Sequence, residues 1–231
     1  KAGVTLDEMR QVIKNVIKSV IRNVTDSNDW YLQVTQTVSG APDNGFECIN
    51  KGRMCLADCR GTLYPFSTKI YRNSEICQSK NITCNGVMDG RLTNDETDVI
   101  ISVGINHALT EMSSYTSMSI YDATYLWGVY TAGDMELNNT VWKYININEY
   151  NNKVSLKVLP YVYVYETRRD CKNISNCIEV PSVPTTEVKA IIPLSDPVVV
   201  TERMYNNPIT HVGPELEDVI LPYTIHLRKK K

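Results

Sequence analysis

The chain has 231 residues, 42% of them apolar and 22% charged, with a formal net charge of -2; that length can bury a sizeable core in one large β domain. So balanced a charge leaves no electrostatic footprint for nucleic acid or an anionic membrane. No stretch approaches the roughly 18 consecutive apolar residues of a membrane-spanning helix. With 14 Tyr against 2 Phe, the composition favours half-exposed sheet over an apolar helical core.

The N-terminus carries the strongest local signal. Thr5-Leu6-Asp7-Glu8 is a capping box, in which Thr5 accepts from the Glu8 N–H and Glu8 reaches back to the cap. Met9, Val12, Ile13, Val16, Ile17, Val20 and Ile21 recur at three- and four-residue spacing and predict an amphipathic helix over 6–22. Its other face carries Arg10, Lys14, Lys18 and Arg22. A row of like charges at i,i+4 costs helix stability unless it meets an acidic surface, so these four are candidate interaction residues. Residues 1–28 are accordingly read as a packing or assembly element, followed by a single β-rich domain over 29–231. The start at Lys1 is read as cleavage from a precursor or a trimmed end. Gly3-Val4-Thr5-Leu6-Asp7-Glu8 resembles the processing motif of type IV pilin precursors. That resemblance implies a following apolar helix of about twenty residues, whereas here Arg10, Lys14 and Lys18 interrupt every turn.

Residues 31–38 then alternate as a strand. Residues 40–90 read as a Cys-rich loop region with a short strand over 63–71, bracketed by the turn signals GAPDNG and NGVMDG. In chain order the cysteines fall into the short pairs Cys48/Cys55, Cys77/Cys84 and Cys171/Cys177, leaving Cys59 unpaired. Separations of six or seven residues through Gly, Asn or Ser can bring α-carbons within the ~4.4–6.8 Å that a cystine needs. Local disulfides and an oxidising compartment are therefore expected, with Cys59 a free thiol or an intermolecular bridge. The sulfurs between 55 and 84 offer a zinc site as the competing reading. Only Cys55/Cys59 has knuckle spacing and no His lies near, so no metal and no cofactor is assigned. Sequons at Asn23, Asn81, Asn138 and Asn173 mark candidate glycosylation sites, although an Asn-rich chain carries about as many by chance.

Further along, DVIISVGI (98–105) predicts a buried strand, and 107–119 a short helix with Leu109 and Met112 inward. Strands are predicted at 123–132, 140–147, 154–167, 187–194, 197–202 and 219–228. Pro160 puts the third of these at an edge or a bulge. On it Tyr161, Tyr163 and Tyr165 share one face, a candidate platform for a protein partner or a glycan. The expected fold is α+β: mainly antiparallel β, sandwich-like or a meander sheet, with an N-terminal amphipathic helix.

His107, His211 and His226 stand far apart, and HExxH, GxSxG and P-loop motifs do not occur. The acidic groups Asp95, Glu96, Asp98, Glu136, Glu215, Glu217 and Asp218 read as solvated surface. The sequence thus points to a non-enzymatic structural or assembly component of a virus particle or an extracellular surface assembly. It would lie outside the cell or on the virion surface, assembled with copies of itself or with other subunits. The alternative is a secreted or surface-displayed binding module, such as an adhesin or receptor ectodomain.

Overall fold

A computed structural model describes residues 3–25, 29–39, 62–67, 90–125, 127–150, 152–185 and 190–230. Cys48, Cys55, Cys59, Cys77, Cys84 and Asn81 lie outside the described residues.

Helix α1 (Leu6–Val24) begins at the predicted capping box: Glu8 N–H donates to Thr5 Oγ1 at 3.2 Å and Thr5 N–H to Glu8 Oε2 at 2.7 Å. It ends where Thr25 turns extended, its N–H donating back to the Ile21 carbonyl. The buried stripe Met9, Val12, Ile13, Val16, Ile17 and Val20 fixes the helix on a sheet. Each such aliphatic side chain contributes about 1.5–3 kcal/mol relative to exposure, far more than capping or propensity.

That sheet has the order β1-β11-β5-β8-β9, from β1 (Trp30–Gln36), β11 (Tyr223–Lys229), β5 (Val99–Ile105), β8 (Val162–Arg168) and β9 (Cys177–Glu179). All its pairings are antiparallel except β8 with β9. The second sheet runs β2-β4-β10-β6-β7, with β3 beside β10. Its strands are β2 (Val38–Ser39), β3 (Thr62–Leu63), β4 (Pro65–Phe66), β10 (Val198–Tyr205), β6 (Thr116–Asp122) and β7 (Gly128–Gly133). Strands β1 and β2 are separated only by Thr37, whose N–H donates to the Pro222 carbonyl, so one extended run serves both sheets.

Three layers result, because β5 is buried on both faces. Val99, Ile101, Val103 and Ile105 pack with α1, while Ile100 faces a second core with Tyr163, Met118, Ile120 and Val200. This is the expected α+β, sandwich-like arrangement. Gly104 is required by close approach: a Cβ there would sit 2.5 Å from the Tyr163 hydroxyl. Only glycine lets that ring cross the strand.

Several predicted elements change type. Residues 107–112 form turns rather than a helix, Leu109 is exposed, and 116–119 belong to β6. Over 140–147 the expected strand is a 3-10 turn (Thr140–Tyr144) that buries Val141 and Tyr144. The N-terminal part of 154–167 is helix α3 (Lys153–Val158), capped by Asn152, whose side chain accepts from Ser155 N–H at 2.8 Å. Pro160 lies in the 3-10 turn that follows, and β8 beyond it is an interior strand, neither edge nor bulge. No strand forms over the described residues 190–194. Helix α2 (Asp134–Leu137) is a single turn after β7.

Candidate functional site

The helix cations keep to solvent, and two of them are already satisfied. Arg10 pairs with Asp7 at 2.7 Å and Arg22 with Glu149 at 2.5 Å, leaving Lys14 and Lys18 exposed. The tyrosine platform does not form. Tyr163 and Tyr165 are buried between the sheets, while Tyr161 lies in the 3-10 turn and packs half-buried on the helix side. The turn breaks the strand alternation that would have aligned the three rings.

Cys171 and Cys177 form a disulfide with α-carbons 5.8 Å apart, closing the loop between β8 and β9. Its Asn173 is exposed at φ 67, in the left-handed region that Asn tolerates. Asn138 is also exposed. Asn23 differs, because its Nδ2 donates to the Tyr144 carbonyl at 2.7 Å and ties the end of α1 to the following layer.

Acidic groups read from sequence as surface, or not singled out at all, turn inward. Asp98 is buried and accepts from Thr93 N–H (2.7 Å), the Thr93 hydroxyl (2.8 Å), Arg228 Nε (2.9 Å) and His226 Nε2 (2.8 Å). Burial alone would raise its pKa. The His226 hydrogen bond and charge, with Thr93 and Arg228, outweigh burial and hold the carboxyl below the usual range. Glu166 repeats the pattern with Tyr144 (2.6 Å), Arg168 (2.6 Å) and Lys143 (3.2 Å), and its carboxyl is again lowered against the burial penalty. Glu202 is the opposite case. It sits between the sheets with one donor, the Tyr163 hydroxyl at 3.1 Å, and its Oε2 has no partner. Burial pushes its pKa well above the ordinary carboxylate value, against the lowering effect of the Tyr163 hydrogen bond. Among the described residues Arg169 donates to carbonyls alone, those of Leu92, Val180, Ile192 and Pro193, and so stitches three loops together. These groups brace the interior. Among the described residues no His/Cys/Asp/Glu group is placed to hold a metal, and His211 lies on an exposed loop.

The surface has a different character at the β6–β7 hairpin. Asp122 Oδ1 accepts from Thr124 N–H (2.7 Å) and Tyr125 N–H (3.2 Å), and Asp122 N–H donates to the Trp127 carbonyl at 2.9 Å. Ala123 N–H is held by the Pro197 carbonyl. On this fixed turn the Tyr125 and Trp127 rings lie 5.4 Å apart at 34°, with 61% and 69% of their surfaces exposed. Beyond the tip β7 is the end strand of its sheet among the described residues, carrying Tyr130, also exposed, whose hydroxyl donates to Glu136 at 3.2 Å. Residues 123–133 contain no charged side chain. An exposed aromatic pair on a hydrogen-bonded turn, in a run without charged side chains, suits contact with another molecule. Sequence reading placed 123–132 in a strand and passed over Tyr125 and Trp127. The available signal was an aromatic pair next to Gly128, where a turn rather than a buried strand was due.

No protein family, curated protein or solved structure matches this chain.

Proposed function

We propose that the chain is a non-enzymatic structural or assembly component of a virus particle or extracellular surface assembly, and that the β6–β7 hairpin is its contact surface. The observation that carries this reading is the exposed Tyr125–Trp127 pair, on a turn held by the Asp122 carboxylate and by backbone bonds, in a run (123–133) without charged side chains. Aromatic side chains are enriched in interface cores, where they bring large apolar area at low entropic cost. The Cys171–Cys177 disulfide supports an oxidising location, outside the cell or on a virion surface. The described buried carboxylates are engaged in holding strands and loops together, which fits a load-holding module.

The alternative, a secreted or surface-displayed binding module, draws on the same pair. Two tilted rings offer stacking faces to a sugar as well as to a protein. Replacing Tyr125→Ser/Trp127→Ser in the native source and measuring recovery of the chain in sedimenting particles or surface material tests the proposal. Recovery is expected to fall at least about tenfold, the effect of losing roughly 1.4 kcal/mol of contact. Full incorporation of the double variant would overturn it. Full incorporation with lost binding on a glycan panel would select the alternative.

A further inference from the structure

Among the described residues the buried carboxyl groups are those of Asp98, Asp122, Glu166 and Glu202. The first three are met by donors suited to an anion. Asp98 and Glu166 each accept from an arginine and from further groups, and Asp122 accepts from the N–H groups of Thr124 and Tyr125. Glu202 differs. It has no solvent exposure, its single donor is the Tyr163 hydroxyl at 3.1 Å, and its Oε2 has no hydrogen-bond partner. That hydroxyl is itself fixed, because the Tyr163 ring crosses β5 over Gly104, where a Cβ would collide with it.

No cation of the described residues compensates this carboxyl. Strands β3, β4 and β5 contain no ionisable side chain. On β6 the residue opposite Glu202 is Met118, and Asp122 lies at the far end of that strand, bonded to its own turn. Strand β8 brings Tyr163 and Tyr165 between the sheets, and His226 of β11 is bonded to Asp98. Arg203, next to Glu202 on β10, alternates to the other face, where it meets the Tyr121 hydroxyl and the Tyr64 ring. A carboxylate at this position would be an unpaired buried charge, whereas the neutral acid keeps its hydrogen bond with Tyr163.

We infer that the Glu202–Tyr163 contact is a proton-dependent latch between the two sheets: the sandwich closes on protonated Glu202, and release of that proton favours opening. Burial raises this carboxyl well above its ordinary range, and the Tyr163 hydrogen bond alone opposes the rise. Below the ordinary value of 4.5 folded and unfolded chains both hold the proton, and the latch contributes in full. Above it the unfolded chain releases the proton while the folded chain keeps it, so the contribution is lost as pH rises toward the folded value. The sign is opposite to that of Asp98 and His107, whose contributions are lost as pH falls. The latch is independent of the contact role proposed for the hairpin.

The test compares denaturant unfolding of wild type and Glu202→Gln across a pH series. Glutamine keeps the shape of the neutral acid and has no proton to release. The wild-type unfolding constant, divided by that of the variant, is expected to rise about tenfold per pH unit above 4.5. Asp98 and His107 are present in both chains and cancel in the ratio. A ratio that stays flat overturns the latch. A second readout needs no variant and decides the matter where Glu202→Gln does not fold. Infrared spectra of the folded chain at about pH 6, with and without 13C-labelled glutamate, are expected to show a protonated carboxylic C=O band that shifts with the label and disappears on unfolding at the same pH. Absence of that band from the folded chain overturns the latch.

Discussion

Two regions of this sandwich handle polarity in opposite ways. Around Asp98, Glu166 and Arg169, charged side chains are drawn inside and bonded to strands and loops. At the β6–β7 end the sequence has no charge over eleven consecutive positions, and the aromatic rings point outward. A buried ion pair is weak evidence for net stability, but removing one of its partners is costly. An exposed ring stabilises its own fold little and has most to gain from a partner. The first region is therefore read as bracing and the second as contact, a division that mutations can test by separating stability from association.

The largest effect is expected in the braced region. Asp98→Ala leaves His226 and Arg228 without their shared acceptor, and should cost about 3–5 kcal/mol in denaturant unfolding. A loss under about 1 kcal/mol would mean that the network is not a brace. His107 gives a pH-dependent effect. It is wholly buried, and burial lowers its pKa from 6.5 to about 4 against the opposing hydrogen bond to the Ile220 carbonyl. The folded state thus keeps His107 neutral, while the unfolded chain takes up a proton below pH 6.5. Stability from this group is complete above pH 6.5 and is lost as pH falls toward 4. Relative to His107→Gln, wild type should lose about 3 kcal/mol across that window, at ~1.4 kcal/mol per unit; a flat difference would contradict the burial. Next comes the loop crosslink. The Cys171→Ser/Cys177→Ser pair should cost about 2 kcal/mol, the loop-closure value for so short a ring, with reducing agent having no effect on that variant. Smallest of all, Trp127→Ser should shift unfolding by no more than ~0.5 kcal/mol. A larger loss there would mark the hairpin as part of the brace and erase the distinction between the two regions.

How much of this was legible depended on whether the governing interaction was local. The α1 boundaries followed from Thr5, Glu8 and a 3.6-residue stripe, all within a few turns of one another. The Cys171–Cys177 crosslink was readable for the same reason. The turn at Thr140–Tyr144 was not, because its strand-like residues are held by a distant carboxylate: the Tyr144 hydroxyl reaches Glu166. Asp98 looked like surface because its partners, His226 and Arg228, arrive from a strand some 130 residues later, and only the β5–β11 register brings them near. The Tyr163 and Tyr165 faces were misjudged because β8 is covered on both sides, a property of sheet order rather than of alternation. Asn152 carried a local cap signal for α3, and the alternating run beyond it hid that start.

The contact role of the hairpin is tested most directly by hydroxyl-radical footprinting of the chain, purified and in its native material. Tyr125 and Trp127 are expected to be labelled strongly in the isolated chain at low concentration and to be protected in the native assembly, while Leu109 and Ile209, exposed elsewhere, label alike in both. Equal labelling of Tyr125 and Trp127 in the two states would contradict the account.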